Sequence, residues 1–254
     1  MRAWRARRRR RLRARPFPRT WAEILEAGVP LYGRLPTGDR GELHGHIHVL
    51  LAEKRFEGAS DLTITEPIEV VICGQACILL LHRETDYFPG LESIIVYPGE
   101  YRAETERTDE LGVVTEGVQT RLGESWSRGA VVLSWRDVLL AAKPGHGNVV
   151  LHEFAHQLDV GEGRPILPDR RAITRWEEVM AREHAALVAR TAAGRPTTLD
   201  PYGAENRKEF FAVLVEAFFL DPHGLKRQHP QIYGLLMAYF RQDPTAWTQA
   251  DLEA

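Results

Sequence analysis

Cysteine is scarce in this chain, and long hydrophobic runs are missing. Only two of the 254 residues are cysteines, Cys73 and Cys77, and both lie in an apolar stretch where small buried side chains are expected. So few thiols exclude a disulfide framework and a structural zinc site closed by cysteines. No apolar run approaches the roughly 18 residues of a membrane-spanning helix, and no segment has the apolar centre of a secretory signal. We therefore predict a cytoplasmic protein without a transmembrane segment.

Acidic residues are missing from the N-terminus. Residues 2–15 contain nine arginines and no Asp or Glu, whereas the rest of the chain has 24 basic against 35 acidic residues, a formal charge of −11. A run of like charge with few apolar residues is typical of a solvated tail. We predict that residues 1–19 are a disordered arginine-rich tail and that residues 20–254 form a single domain. Binding of nucleic acid or of an anionic membrane by this tail is the less favoured alternative.

The most informative segment is the pentapeptide His-Glu-Phe-Ala-His at residues 152–156. Residues four apart share one face of an α-helix, so His152 and His156 can bind one ion, and Glu153 lies beside them. Zinc hydrolases combine two such histidines with a water in an open coordination position and a carboxylate that takes a proton from that water. The run 149–160 is mostly apolar, follows a good N-cap residue and ends at glycines, which predicts a buried helix. Its polar side chains need partners, and a zinc ion can supply them.

A second histidine pair with the same spacing gives an internal comparison. His44 and His48 are also four residues apart, but no glutamate follows His44, and the region 41–58 is rich in charge. We predict an exposed helix with a solvated face here rather than a second metal site.

A catalytic zinc site needs a third protein ligand, and Glu162 is one candidate. It stands ten residues after His152, where some zinc peptidases place a third ligand. That pattern requires a glycine, at which the chain turns out of the helix, at the position of Asp159. The departure counts against Glu162.

The segment 205–220 offers the other candidates. Glu209 and Glu216 are seven residues apart and lie on one face of what the apolar composition predicts to be a core helix. Carboxylates on such a helix must meet cations or hydrogen-bond donors. We assign Glu209 as the metal ligand and Glu216 as its supporting neighbour. An exchange of these two roles, or participation of Glu205, stays open.

These residues resemble the Mlc titration factor A family of bacterial zinc peptidases. The resemblance is strongest over residues 148–220, extends to stretches at 53–56, 95–98 and 129–135, and includes a remote likeness to the catalytic domain of lethal-factor-type toxins. It implies a zincin-like fold and aminopeptidase-like activity on peptide substrates, with a transcriptional repressor of the Mlc type as a partner. It also implies one zinc ion held by His152, His156 and Glu209, with Tyr202 lining the site.

Tyr202 and Asp159 receive supporting roles. The phenol of Tyr202 can stabilise the oxyanion that forms when water attacks a peptide carbonyl, although a plain turn residue is the alternative. Asp159 can accept the free N–H of a ligand imidazole and fix its tautomer, although a surface acid at a helix end is the alternative.

The predicted elements place these residues in an α+β fold that is mainly helical. Strands are predicted near 93–97 and 130–135, and the apolar stretch 67–82 fits a helix or a strand. The strand at 130–135 could form the sheet edge on which an extended peptide docks. Further helices are predicted at 20–28, 41–56, 170–193 and 229–241.

Two functions from different classes follow from the sequence. The first is a zinc-dependent, aminopeptidase-like peptidase in which Glu153 is the general base. The alternative is a regulatory protein that sequesters a transcriptional repressor, or a nucleic-acid binder, in which catalysis is incidental. The complete set His152, Glu153, His156 and Glu209 favours the peptidase, because a binding protein does not need a general base.

Overall fold

Helices form most of the secondary structure in this computed structural model, which describes residues 2–99, 101–108, 114–121, 123–126, 129–143 and 145–247. The α-helices are α1 Arg2–Arg13, α2 Arg19–Gly28, α3 Pro30–Arg34, α4 Thr37–Glu53, α5 Glu66–Ile78, α6 Trp135–Leu140, α7 Val149–His156, α8 Arg170–Ala192, α9 Arg207–Leu220, α10 Pro222–Gln228 and α11 Pro230–Phe240. Short 3-10 helices lie at Pro201–Ala204 and Pro244–Ala246. No helix in the described ranges is long and apolar enough to cross a membrane. The predicted class, α+β and mainly helical, is confirmed.

The strands form a four-stranded sheet and a separate hairpin. Their bounds are β1 Arg55–Gly58, β2 Ser93–Tyr97, β3 Tyr101–Thr108, β4 Val114–Arg121, β5 Gly123–Trp126 and β6 Ala130–Ser134. The sheet has the order β1-β2-β6-β5, with β1, β2 and β6 parallel and β5 antiparallel to β6, while β3 pairs with β4. Among the described strands β6 is internal and β5 lies at the edge. The prediction that residues 130–135 form the edge is therefore wrong.

Two helices of the core are buried on nearly all sides. The ambiguous stretch 67–82 forms α5, in which every residue from Val70 to Ile78 is buried. Such a helix has no polar stripe, which is why its periodicity could not distinguish it from a strand. Helix α9 buries a set of phenylalanines, each worth about 1.5–3 kcal/mol of hydrophobic free energy. These are Phe210, Phe211, Phe218 and Phe219.

Segments with a strong pattern form the predicted elements. Helices α2, α8 and α11 and strand β2 have bounds within one residue of those predicted. Helix α7 ends at His156, earlier than the predicted residue 160, because the chain turns after Gln157. Helix α7 contacts α9, α5, β5 and β6, so it lies between the sheet and the apolar helices.

The N-terminal arginine segment is ordered, contrary to the predicted disorder of residues 1–19. Residues 2–13 form α1, and Leu12 is only 6% exposed in the hydrophobic core. The Nε and Nη2 atoms of Arg9 donate to both carboxylate oxygens of Glu53 at 2.9 and 2.8 Å. Gly45 of α4 allows the close approach of the two helices, because a Cβ atom there would lie 3.2 Å from the Cβ of Arg13. The arginines thus find acidic partners distant in sequence, which a local pattern does not reveal.

The second histidine pair lies in a mostly buried helix, so the predicted exposed helix around His44 and His48 is wrong. The ring of Phe17 stacks on His44 with centroids 3.7 Å apart. Between the pair, His46 is fully buried, with Nδ1 2.8 Å from the Tyr87 hydroxyl. Burial lowers the pKa of His46 below its usual value. These histidines are packing residues that α1 and the following segment cover.

The bidentate pair between Arg9 and Glu53 gives a test of the docking of α1. We expect Arg9→Ala to lower the free energy of unfolding by about 2 kcal/mol, because it removes charge-assisted hydrogen bonds from the nearly buried Glu53 carboxylate. Urea denaturation followed by circular dichroism measures the change. Arg10→Ala is the control, since Arg10 is exposed and the change there is expected to stay within about 0.5 kcal/mol. Equal losses in the two variants would contradict this account of the docking.

Candidate metal centre

The start of helix α7 is fixed by its capping residue. The side chain of Asn148 accepts a hydrogen bond from the Leu151 N–H at 2.9 Å, which is the predicted N-cap. The apolar side chains Val150, Leu151, Phe154 and Ala155 are fully buried. This burial fixes the rotation of the helix, and the half-buried His152 and His156 lie toward α9.

Helix α9 brings the third donor to the two histidines. The Oε2 atom of Glu209 lies 3.0 Å from Nε2 of His152 and 3.4 Å from Nε2 of His156. The donor atoms of the three residues all lie within 4.8 Å of one another, and among the described residues no other group of His, Cys, Asp and Glu is so arranged. The structure therefore brings together the three residues predicted as metal ligands.

The spacing of these donors fits a divalent metal ion. Metal–ligand bonds of about 2.0–2.2 Å in a tetrahedron place neighbouring donor atoms about 3.3–3.6 Å apart. The distance of 3.4 Å from Glu209 to His156 lies in this range, and the distance of 3.0 Å to His152 lies slightly below it. Two neutral imidazole nitrogens and one carboxylate oxygen are donors that transition metals accept together. His152, His156 and Glu209 could thus hold such an ion.

Glu216 fixes the orientation of the first histidine. Its Oε1 atom accepts a hydrogen bond from Nδ1–H of His152 at 2.8 Å, and its Oε2 atom accepts one from the Asn148 N–H at 2.6 Å. One carboxylate therefore holds both the start of α7 and the imidazole ring. A histidine whose Nδ1 is occupied in this way presents Nε2 to a metal. Glu216 occupies the supporting position that the sequence predicted.

The acidic surroundings shift the pKa values of the histidine and its partner. Burial alone lowers the pKa of His152, but hydrogen bonds with Glu209 and Glu216 oppose it and raise the pKa to about 10. Burial alone raises the pKa of Glu209, but hydrogen bonds with His152 and His156 lower it to about 2. The carboxylates of the cluster thus stabilise a positive charge that lies between them. A divalent cation bound there would supply such a charge.

Glu153 and Tyr202 lie beside the three donors. Glu153 follows His152 on α7 and is only 4% exposed. The ring of Tyr202 has its centroid 5.9 Å from that of His152, and the side chain is 47% exposed. The side chain of Asp200 caps the 3-10 helix that carries Tyr202, by accepting the Tyr202 N–H at 2.9 Å. The structure places the ring of Tyr202 near His152 and buries Glu153 on the same helix as the two histidines, and the catalytic roles of both residues stay predictions.

Asp159 does not have the predicted role of orienting an imidazole. Its carboxylate accepts backbone N–H groups of Gly161 at 2.7 Å, Gly163 at 2.9 Å and Arg164 at 3.0 Å. These bonds hold the turn that follows α7. Gly163 has φ +75°, and a Cβ atom there would lie 2.2 Å from the carbonyl oxygen of Arg207, at the start of α9. An aspartate followed by two nearby glycines is a turn signal, and it could have predicted this role.

The remaining acidic candidates lie away from the donors. The Glu162 side chain is 74% exposed and its Oε1 atom lies 3.7 Å from Nζ of Lys208. Glu205 is exposed in the segment that leads into α9. The contact between the Asn148 backbone and Glu216 was not predicted, and only the position of Asn148 at a helix start gave a hint of it.

Comparison with known protein families decides the classification. The family described as Glucose-regulated metallo-peptidase M90 matches residues 2–241. The chain belongs to this family. The match covers α1 as well as the metal centre, so the arginine helix lies within the region that M90 proteins share. A metallopeptidase family implies a metal ion, and the cluster of His152, His156 and Glu209 in this M90 chain could bind one.

Individual relatives agree with the M90 assignment. The uncharacterized protein slr2042 of Synechocystis sp. is 37% identical over 245 residues, which cover 93% of this chain and 89% of the relative. Mlc titration factor A of Pectobacterium atrosepticum is 31% identical over 86% of this chain and 84% of its own length. The protein of the same name from Yersinia pestis is 28% identical over 89% and 85%. The predicted resemblance to the Mlc titration factor A family is confirmed.

Proposed function

We propose that this M90 chain is a zinc-dependent peptidase with aminopeptidase-like activity in the cytoplasm. The observation that carries the proposal is the convergence of donor atoms from His152, His156 and Glu209 within 4.8 Å. Catalytic zinc sites use three such protein ligands and keep a fourth position for water, whereas structural sites close with four. The two cysteines are buried in α5 and belong to the hydrophobic core rather than to the cluster.

Each residue near the cluster has a chemical role in this proposal. When bound, zinc would lower the pKa of a coordinated water and polarise the peptide carbonyl. Glu153 takes the proton at its carboxylate and passes it to the leaving amine. Tyr202 donates a hydrogen bond to the carbonyl oxygen as negative charge develops there. Glu216 holds the ring of His152 in place.

The names of the relatives favour a second candidate function. Two of them are called Mlc titration factor A, a name that refers to the titration of Mlc by those proteins. This chain could likewise bind a transcriptional repressor of the Mlc type. Repressor binding does not require a general base, so loss of Glu153 would leave it intact and separate the two functions.

Metal analysis of the purified chain tests the zinc proposal directly. We expect about one zinc ion per chain after dialysis, as a site with three protein ligands predicts. A chelator should remove the zinc together with hydrolysis of aminoacyl and short peptide substrates, and added zinc should restore both. Peptides with a free N-terminus should be cleaved faster than N-acetylated ones if the activity is aminopeptidase-like. A chain that binds no zinc, and hydrolyses nothing after zinc is added, would contradict the proposal.

A further inference from the structure

The outward face of helix α1 carries positive charge that the metal centre does not use. We call Trp4, Arg7, Arg10 and Arg11 the arginine surface. All four side chains are exposed, and Trp4 is 70% exposed. Within the described part of the chain, the three arginines form no ion pair with an acidic side chain. At 100° per residue, Trp4, Arg7 and Arg11 lie within about 60° of one another around the helix axis.

The opposite face of α1 holds the helix against the body of the protein. Leu12 enters the core, and Arg9 pairs with Glu53 and Asp86. Arg8 donates to the carbonyl of Ala52 at 3.1 Å. The acids near α1 therefore neutralise its inner face and leave the outer face without counter-charge. Because α1 is an ordered helix, it can bind a ligand without the entropy cost of ordering a tail. The predicted disorder of this segment, which disfavoured a polyanion as its ligand, therefore does not apply.

We propose that the arginine surface binds single-stranded nucleic acid. Guanidinium groups form charge-assisted, bidentate hydrogen bonds with phosphate. Several of them on one helix face can therefore contact successive phosphates of a nucleic-acid backbone. Trp4 adds an aromatic face on which an unpaired base can stack. In a duplex the faces of the bases are covered by their neighbours, so the combination of Trp4 with arginines fits a single strand better.

A membrane surface fits the same helix less well. A helix that lies in a membrane interface needs a broad apolar face. Trp4 is the one large apolar side chain exposed on α1, because Leu12 points into the core. The rest of the outward face consists of alanines and arginines, namely Ala3, Ala6, Arg7, Arg10 and Arg11.

Fluorescence anisotropy of a labelled oligothymidylate of about 20 nucleotides tests the proposal with the full chain. The unaltered protein should bind in about 50 mM salt, with log affinity falling against log salt at a slope of about −2, as three phosphate contacts to a single strand predict. The triple variant Arg7→Glu, Arg10→Glu, Arg11→Glu should bind at least about tenfold more weakly and lose most of this salt dependence. Trp4→Ala should weaken binding about tenfold, because it removes the aromatic face on which one base stacks.

Helix α8 supplies a matched control. Arg170, Arg171 and Arg175 are likewise exposed and form no ion pair with an acidic side chain in the part of the chain that the structure describes. Their replacement by glutamate changes the net charge by the same amount, but binding should weaken less than about threefold, because α8 packs against α9 and α11 whereas α1 packs against α4, and salt screens charges that are not close together. The corresponding three Arg→Gln changes on α1 provide a milder variant, and thermal melting checks that every variant is folded.

Four results would overturn the proposal. One is absence of binding to the oligonucleotide in low salt, and another is an equal loss of affinity in the α1 and α8 variants. A third is binding to vesicles containing phosphatidylserine without binding to the oligonucleotide, which would identify a membrane surface. The fourth is equal affinity for a duplex together with no effect of Trp4→Ala, which would remove the role of base stacking.

Discussion

The Glu153→Gln variant is expected to keep its metal and to lose peptide hydrolysis by at least about a hundredfold, because a positioned general base contributes about 10²–10⁴ to a rate. Glutamine has nearly the same shape as glutamate, so it can replace the side chain at a site that is only 4% exposed. It cannot take a proton from water at neutral pH. The rate constant kcat on a chromogenic aminoacyl substrate, measured beside the zinc content, tests both parts of the expectation.

An exposed glutamate on α8 provides the control for this variant. Glu178→Gln makes the same chemical change on the surface, and both activity and zinc content should stay at the level of the unaltered chain. Full activity of Glu153→Gln would reject Glu153 as the general base. Loss of zinc together with activity would show instead that Glu153 contributes to metal binding, and the ligand set would need revision.

Replacement of the third donor is expected to have the largest effect on the metal. Glu209→Ala removes an oxygen that lies 3.0 and 3.4 Å from the two imidazole nitrogens, and no other carboxylate in the described cluster is placed to substitute for it. Because loss of an outer hydrogen-bond partner already weakens metal binding 10–100-fold, loss of a direct ligand should weaken it more than about a hundredfold. Competition with a chromogenic zinc chelator measures the affinity.

Substitutions of two further glutamates serve as comparisons for Glu209→Ala. Glu162→Ala should leave the zinc affinity unchanged, because that side chain is 74% exposed and contacts Lys208. Glu216→Ala should weaken zinc binding about tenfold, since it removes the hydrogen-bond partner of His152 but no donor. If Glu162→Ala lowers the zinc affinity as much as Glu209→Ala does, the assignment of the third ligand is wrong. Circular dichroism confirms that each variant retains its helices.

The parts of the fold that could be predicted are those specified by local patterns. Helix α8 and strand β2 have regular polar and apolar periodicity, and their bounds follow from it. The cluster of donor side chains was predictable because two of its residues share one helical turn and the third lies on a helix too apolar to hold an unpaired acid.

The errors have two causes, contacts between distant parts of the chain and local pairing or turns that the helical and strand patterns do not reveal. Helix α1 looks like a disordered tail because its stability depends on Glu53 and Asp86, which are 44 and 77 residues away from Arg9. The position of β6 inside the sheet depends on β5, whose sequence Gly-Glu-Ser-Trp carries no alternating pattern. Asp159 was assigned to an imidazole because the run 149–160 was predicted to be one helix, whereas the helix ends before that residue is reached.

The spacing of the two ligand-bearing helices depends on a residue that has no side chain. The turn after α7 meets the start of α9 where Gly163 approaches the Arg207 carbonyl, two positions before Glu209. Any side chain at position 163 would push these backbones apart, and the carboxylate would move away from the histidines with them. A larger residue at position 163 would therefore disturb the approach of Glu209 to His152 and His156 from a point outside the donor cluster.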